Sequence, residues 1–210
     1  LLVGDATLLA LPVRSLQSHF KWVTCASALD RFGRTAARLG LALKLPDTPA
    51  LKKSDAAWGN SKGTVYLEEF RLEQDASPAI AELAKALATL SSGALQAESV
   101  QERLVIVHDD IFTFLVRNAT AVNAHIAIDA ATKTVKKGQL WYEESLPPET
   151  LLYVPVSATA ARRKGSELQA PAVLDKLTAL LGKDQAWLQL GGNETTGMGW
   201  CRVGINQSQQ

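Results

Sequence analysis

Ala124-His125-Ile126-Ala127-Ile128-Asp129, then Thr132-Lys133-Thr134-Val135-Lys136-Lys137-Gly138, then Gln139-Leu140-Trp141-Tyr142-Glu143 set two strand-forming runs around a polar, cationic tip. The flanking runs alternate or are apolar, and they are rich in the β-branched and aromatic side chains that fit a pleated surface. Another strand signal, Leu151-Leu152-Tyr153-Val154-Pro155-Val156, follows closely, its Pro155 marking a sheet edge or strand end. Strands and helices are therefore mixed without strict βαβ alternation, which predicts an α+β fold. The expected architecture is an antiparallel sheet with helices on one face and the other face free for a ligand. The hairpin over residues 124–142 projects from it, either as a functional arm or as an ordinary surface hairpin solubilised by its lysines.

Towards the N-terminus, Thr7-Leu8-Leu9-Ala10-Leu11-Pro12-Val13 reads as a buried strand closed by a proline turn. Leu16, Phe20, Val23, Leu29 and Phe32 recur at near-helical spacing and predict a helix from about Ser15 to Leu39, with Ser15 as its N-cap. Arg14, Gln17, Ser18 and Lys21 give that helix start a polar, basic character, suited to a phosphate or simply to solvent. Residues 45–63 read as a long loop, residues 64–70 as a strand, and Ser77-Pro78 opens a helix striped by Ile80, Leu83, Leu87 and Leu90 and ended by Gly93. Residues 103–107 form a strand. Asp109-Asp110 caps a helix carrying Ile111, Phe114, Leu115 and Val122. Pro171 starts the last helix, with Val173, Leu174, Leu177, Leu180 and Leu181, stopped by Gly182. The tail from Asn206 to Gln210 is expected to be disordered.

Trp187-Leu188-Gln189-Leu190 and Trp200-Cys201-Arg202-Val203 enclose Gly191-Gly192-Asn193-Glu194-Thr195-Thr196-Gly197-Met198-Gly199. Glycine permits positive φ and lets a ligand come close to the main chain. A loop of this composition can turn several N–H groups toward one anion, with threonine hydroxyls as further donors. It is either a phosphate cradle or a plain glycine turn.

The 210 residues are 47% hydrophobic and 20% charged, as in an ordinary globular protein. A net charge of +1 excludes a global field for polyanions, so a nucleic-acid site has to be a local patch. Cys25 and Cys201 form neither a metal motif nor a disulfide framework, which points to a reducing cytoplasm. No run reaches the roughly 18 apolar residues of a membrane span. The first residues, Leu1-Leu2-Val3-Gly4-Asp5, carry no signal-peptide pattern and no initiator Met, which leads us to expect a chain that begins inside a domain, with its N-terminal part missing.

Several of these segments coincide with one family. Gly4-Asp5-Ala6-Thr7-Leu8-Leu9-Ala10-Leu11-Pro12-Val13-Arg14-Ser15-Leu16 and Phe20-Lys21-Trp22-Val23-Thr24-Cys25, the hairpin sequence from His125 through Trp141-Tyr142-Glu143-Glu144-Ser145-Leu146-Pro147-Pro148, and the glycine loop resemble the RAMP superfamily. Together they are similar to the repeated backbone subunit of the Cmr complex, the type III-B CRISPR RNA-guided effector of antiviral defence. The resemblance runs from Leu1 to about Val203. It implies a ferredoxin-like, RNA-recognition-like RAMP core with helical insertions and a protruding thumb β-hairpin, spanning residues 1–210 as one domain. It further implies guide RNA, target RNA, further copies of the chain in a filament and other Cmr subunits as partners. Target cutting would use a divalent metal, magnesium by expectation, and an aspartate in a loop near the family's N-terminus. That segment has no match here, and Asp5 is not that residue, so no catalytic residue is carried over. Two positions depart from the family pattern: His125 stands where an arginine is usual, and Gln17-Ser18 where Lys-Gly is usual. Histidine is mostly neutral at pH 7, so the fixed cationic contact is weaker.

The implied RNA contacts are Arg14, Ser15, Lys21, Gly191, Gly192, Asn193, Thr195, Thr196, Gly197 and Met198, with His125, Ile126, Lys133, Lys136 and Lys137 on the thumb. Arg162 and Arg163 add charge, and main-chain amides of Gly191, Gly192, Asn193 and Gly197 add contacts that ignore sequence, as a variable guide requires. Met198, Trp141 and Ile126 are candidates to stack or wedge against bases, Trp141 equally a core residue. His19, His108 and His125 show no clustered spacing. His108 with Asp109 and Asp110 forms either a metal chelate or a helix cap. Two rival readings stand beside the nuclease subunit. One is a non-catalytic scaffold that only grips guide RNA. The other is a small-molecule enzyme, which needs a pocket near Gly192 lined by perturbed acids.

Overall fold

The computed structural model describes residues 1–49, 51–163, 165–181 and 186–208. In chain order it has β1 (Leu2–Val3), β2 (Thr7–Ser15), β3 (Ser18–Cys25), α1 (Ala26–Arg38), β4 (Ala56–Gly59), β5 (Gly63–Leu67), β6 (Phe70–Ala76), α2 (Pro78–Leu90), α3 (Ala97–Arg103), β7 (Leu104–Val107) and α4 (Asp109–Asn118). There follow β8 (Ala121–Ile128), β9 (Val135–Ser145), β10 (Leu151–Tyr153), β11 (Val156–Ser157), α5 (Ala170–Leu181), β12 (Ala186–Gln189), a 3-10 turn (Glu194–Thr196) and β13 (Trp200–Val203).

A seven-stranded sheet runs β10-β2-β3-β7-β4-β6-β5. It is mixed, not antiparallel as expected, because β3 pairs parallel with β7 and β4 parallel with β6. Nor does it leave one face open. Leu11, Val13, Val23, Cys25, Val105 and Val107 pack on one side with Ile111, Phe112 and Leu115 of α4. Leu9, Trp22, Leu104 and Ile106 pack on the other with Leu29 and Phe32 of α1, Ile80, Leu83 and Leu87 of α2, and Val100 of α3. Apolar surface on both faces of a sheet must be removed from water on both. The sheet also curls until β5 meets β2. Gln17 spans that seam, donating to the Thr64 carbonyl at 2.8 Å and accepting from the Tyr66 amide at 3.3 Å.

The expected helix from Ser15 to Leu39 is wrong as far as Cys25, nearly half its length. Ser15 and Ser18 are paired across a tight turn, with Leu16 82% exposed at its tip, and β3 occupies the place of the first helical turns. Because β3 lies between β2 and β7 with both faces covered, Trp22, Val23, Thr24 and Cys25 are buried in succession. A buried apolar run carries no period of two, and its residues mimic a helical stripe when read with the true helix that follows. Arg14, Ser15 and Lys21 therefore sit on a β-hairpin, and the basic helix start does not exist.

Smaller corrections have similar causes. The loop over 45–63 contains β4, four residues long, and residues 64–70 divide between β5 and β6 at Glu68, whose φ is +48°. Helix α3 follows Gly93 unannounced. The cap of α4 is His108, whose Nδ1 accepts from the Asp110 amide at 3.3 Å, and Val122 belongs to β8. Gly182 lies outside the described residues. The tail is fastened at Asn206, which donates to the Leu90 carbonyl at 2.8 Å, and at Gln207, which donates to Thr178 at 2.7 Å. Gln209 and Gln210 lie outside the described residues. Among the described residues no helix is long and apolar enough to cross a membrane.

Besides the short β1–β11 pair, two two-stranded ribbons stand apart from the large sheet among the described residues, β8–β9 and β12–β13. They carry the hairpin and the glycine loop.

Candidate nucleic-acid interface

The glycine loop is closed at its neck by Leu190 N–H donating to the Gly199 carbonyl at 2.9 Å. Positive φ occurs at Gly191 (+85°), Asn193 (+62°), Gly197 (+81°) and Gly199 (+80°). The Asn193 carbonyl collects the Thr196 amide at 3.0 Å, the Met198 amide at 3.3 Å and the Thr196 hydroxyl at 2.8 Å, and Gly197 N–H donates to Glu194 O at 2.9 Å. The Gly197 amide and the Thr196 hydroxyl are therefore spent inside the turn. Among the described residues, the amides of Gly191, Gly192 and Asn193 donate to nothing. Thr195 is exposed, and Met198 is 38% exposed.

Two glycines of the loop stand at opposite extremes, while Gly191 and Gly197 combine open space with positive φ. A Cβ on Gly199 would lie 2.0 Å from the Leu190 carbonyl oxygen, so the fold itself requires glycine there. A Cβ on Gly192 would meet nothing within 4 Å, and its φ is not in the left-handed region. Nothing among the described residues demands glycine at 192. Its bare backbone faces open space, next to unpaired N–H groups.

The hairpin presents Lys133, Lys136 and Lys137, all exposed, with Lys133 at the tip and Lys136 and Lys137 on β9. His125 and Trp141 face each other across the two strands and stack, ring centroids 5.6 Å apart at 20°. Ile126, paired with Leu140, lies on the opposite face and is 49% exposed. Trp141 is not a core residue, being 43% exposed.

Glu143, which the sequence reading passed over, joins the two ribbons. Its carboxylate accepts the Trp141 indole N–H at 2.7 Å and an amide hydrogen from Asn193, and it stands 3.7 Å from His125 Nε2. The hydrogen bonds from Trp141 and Asn193 hold its carboxyl below the usual carboxylate range. Its one local signal is the i, i+2 spacing to Trp141; the partner at Asn193 is 50 residues away.

The remaining expected contacts do not join this site. Arg14 Nε pairs with Glu68 at 2.8 Å, and Ser15 donates to Gln17 at 2.8 Å. Lys21 donates to the Glu102 carbonyl at 2.8 Å, and burial, then the charge of Arg103, depresses its pKa. No hydrogen bond or ion pair ties these three to the glycine loop among the described residues. Arg162 and Arg163 are exposed.

Among the described residues no three His, Cys, Asp or Glu side chains gather to hold a metal. The Asp109 carboxylate is bound to Ser27, and His108 serves as a cap. Neither of the two best-formed clefts among the described residues lies at Gly192. Clefts of about 350 Å³ and about 160 Å³ lie along α1 and α4, and neither is lined by a glycine-loop residue.

Comparison with known proteins points the same way. The RAMP superfamily matches residues 5–202. The CRISPR system Cmr endoribonuclease Cmr4 of Pyrococcus furiosus is 35% identical over 98% of this chain and 68% of its own length. The crystal structure of oligomeric Cmr4 from Pyrococcus furiosus superposes with a TM-score of 0.73 at 29% identity, covering 99% of this chain and 73% of that one. A second Cmr4 crystal structure gives 0.68 at 28% identity, over 95% and 70%. An amide-lined loop and a cationic hairpin tied by one carboxylate are thus found on a mixed α/β fold shared with Cmr4, and the chain belongs to the RAMP superfamily, in its Cmr4 family.

Proposed function

We propose that this protein is the repeated backbone subunit of a type III-B CRISPR effector, holding guide RNA by its sugar-phosphate backbone so that target RNA is cut at regular intervals. The observation that carries the reading is the open main chain at Gly191-Gly192-Asn193, three amides without a partner among the described residues, beside a glycine that those residues do not require. Amides bind phosphate without reading bases, which suits a subunit whose guide changes sequence, and recognition passes to base pairing. Lys133, Lys136 and Lys137 supply the local cationic patch that a net charge of +1 requires. Copies in series add modest contacts into tight binding.

We read the core as ferredoxin-like, residues 1–210 as one RAMP domain, and residues 124–142 as its thumb, with Ile126, Trp141 and Met198 as the apolar surfaces presented to bases. The partners are guide RNA, target RNA, further copies and other Cmr subunits, in the cytoplasm. Cleavage with a divalent metal, magnesium by expectation, is assigned to the complex and to no residue here, since no three His, Cys, Asp or Glu side chains among the described residues gather to hold one. A non-catalytic scaffold would grip RNA through the same loop.

Fluorescence anisotropy with two single-stranded RNAs of unrelated sequence, each titrated at several salt concentrations, tests the reading. It predicts equal affinities that fall steeply with salt. Salt-insensitive binding, or binding to one sequence only, would count against it.

A further inference from the structure

The two strands of the hairpin bury no residue, so little packing fixes its direction. A two-stranded ribbon of this kind is marginal by itself and swings easily about its base. Pairing alternates its side chains between two faces. Asn123, His125, Trp141 and Glu143 share one, and Val122, Ala124, Ile126, Leu140, Tyr142 and Glu144 the other. From the first face, the Glu143 carboxylate reaches Asn193 and makes the one side-chain hydrogen bond that joins hairpin to glycine loop among the described residues. Asn193 is also the residue whose carbonyl organises the turn, holding the Thr196 and Met198 amides. A pull on its side chain is therefore a pull on the whole amide cradle. His125 and Trp141, stacked beside the carboxylate, brace it from the hairpin side.

We propose that Glu143 is a positioning residue that latches the basic hairpin to the glycine loop, presenting the cationic and the amide surface to one RNA strand at a fixed separation. This rests on the RNA-gripping reading above. A hydrogen bond between exposed groups adds little to global stability, so the latch acts on orientation and not on folding. Losing it lets the two surfaces adopt many separations, only a fraction of them competent, and apparent affinity falls by that fraction.

The test uses nitroxide labels at Thr132→Cys and Glu194→Cys in a Cys201→Ser background, with Cys25 buried and unlabelled. Pulsed electron-electron resonance reads the distance between hairpin tip and loop. The wild-type latch gives one narrow distribution. Glu143→Ala and Asn193→Gly, the latter tolerating the positive φ, both broaden it, and Glu143→Gln, which keeps an acceptor for Trp141 and a partner for Asn193, restores it. Anisotropy with a labelled single-stranded RNA then shows Glu143→Ala weakened about threefold to tenfold at unchanged melting temperature, and the double variant with Asn193→Gly no weaker than either single one. Glu144→Ala removes the same charge from the opposite face and controls for simple electrostatics. An unchanged distance distribution in Glu143→Ala, or additive losses in the double variant, overturns the latch. Absence of RNA binding by the wild-type chain counts against the functional reading, while the distance measurement still decides the latch.

Discussion

Placing the same side chain at two glycines of one loop, Gly192→Val and Gly199→Val, produces opposite phenotypes. At Gly199 the Cβ would sit 2.0 Å from a backbone oxygen, and φ is +80°. The left-handed conformation costs a β-branched residue about 2 kcal/mol. The displaced neck hydrogen bond from Leu190 adds about 1 kcal/mol. A loss near 3 kcal/mol lowers the melting temperature of a chain this size by about 6–12 °C, or opens the β12–β13 ribbon locally. At Gly192 the Cβ meets nothing and φ is ordinary, so stability stays within about 0.5 kcal/mol. The valine then occupies the space through which a phosphate reaches the amides. Two lost amide–phosphate contacts at about 1.5 kcal/mol each make about 3 kcal/mol, close to a 150-fold loss of affinity. Calorimetry and RNA anisotropy on both variants measure the two effects. The reasoning is refuted if Gly192→Val destabilises the fold as much as Gly199→Val, or if it is stable and binds RNA as well as the wild type.

Replacing Lys133, Lys136 and Lys137 together by Gln should reduce the slope of log affinity against log salt by about 2, at roughly 0.7 per phosphate contact, in the same anisotropy assay. For Asp109, burial alone would raise the carboxyl, but hydrogen bonds from Ser27 and Cys25 outweigh it and hold the pKa below its usual value. A depressed folded pKa contributes stability above the unfolded value, lost as pH falls through the folded one. Ser27→Ala should therefore shift acid unfolding to higher pH, followed by circular dichroism between pH 5 and pH 2. Burial pushes the Cys25 thiol up to about 12, and the side chain is 3% exposed. Iodoacetamide at pH 8 should accordingly modify Cys201 and spare Cys25 in the folded chain, as read by peptide mass spectrometry.

Legibility in the sequence followed how local each signal was. The hairpin around Lys133–Lys137, the stripe of Ile80, Leu83 and Leu87 in α2, and the two short strands flanking the glycine loop are written in contiguous residues, and all appear in the fold. Strand β3 was not legible, because burial on both faces erases the period of two. Strand β4 and helix α3 are too short, at four and seven residues, to show a period. At the site, the composition of residues 191–199 announced an amide-rich loop, but which glycines the fold requires depends on where the Leu190 carbonyl lies. Arg14 and Lys21 were legible as cations and not as cations already engaged by Glu68 and Glu102. Glu143 was invisible because its meaning lies in Asn193, on another ribbon.

Amide hydrogen exchange of Gly191, Gly192 and Asn193, followed by ¹⁵N NMR with and without a single-stranded RNA, addresses the grip on the phosphate backbone most directly. Slowed exchange at these three N–H groups on adding RNA, lost again in Gly192→Val, is the expected result. RNA that binds while leaving their exchange unchanged would contradict it.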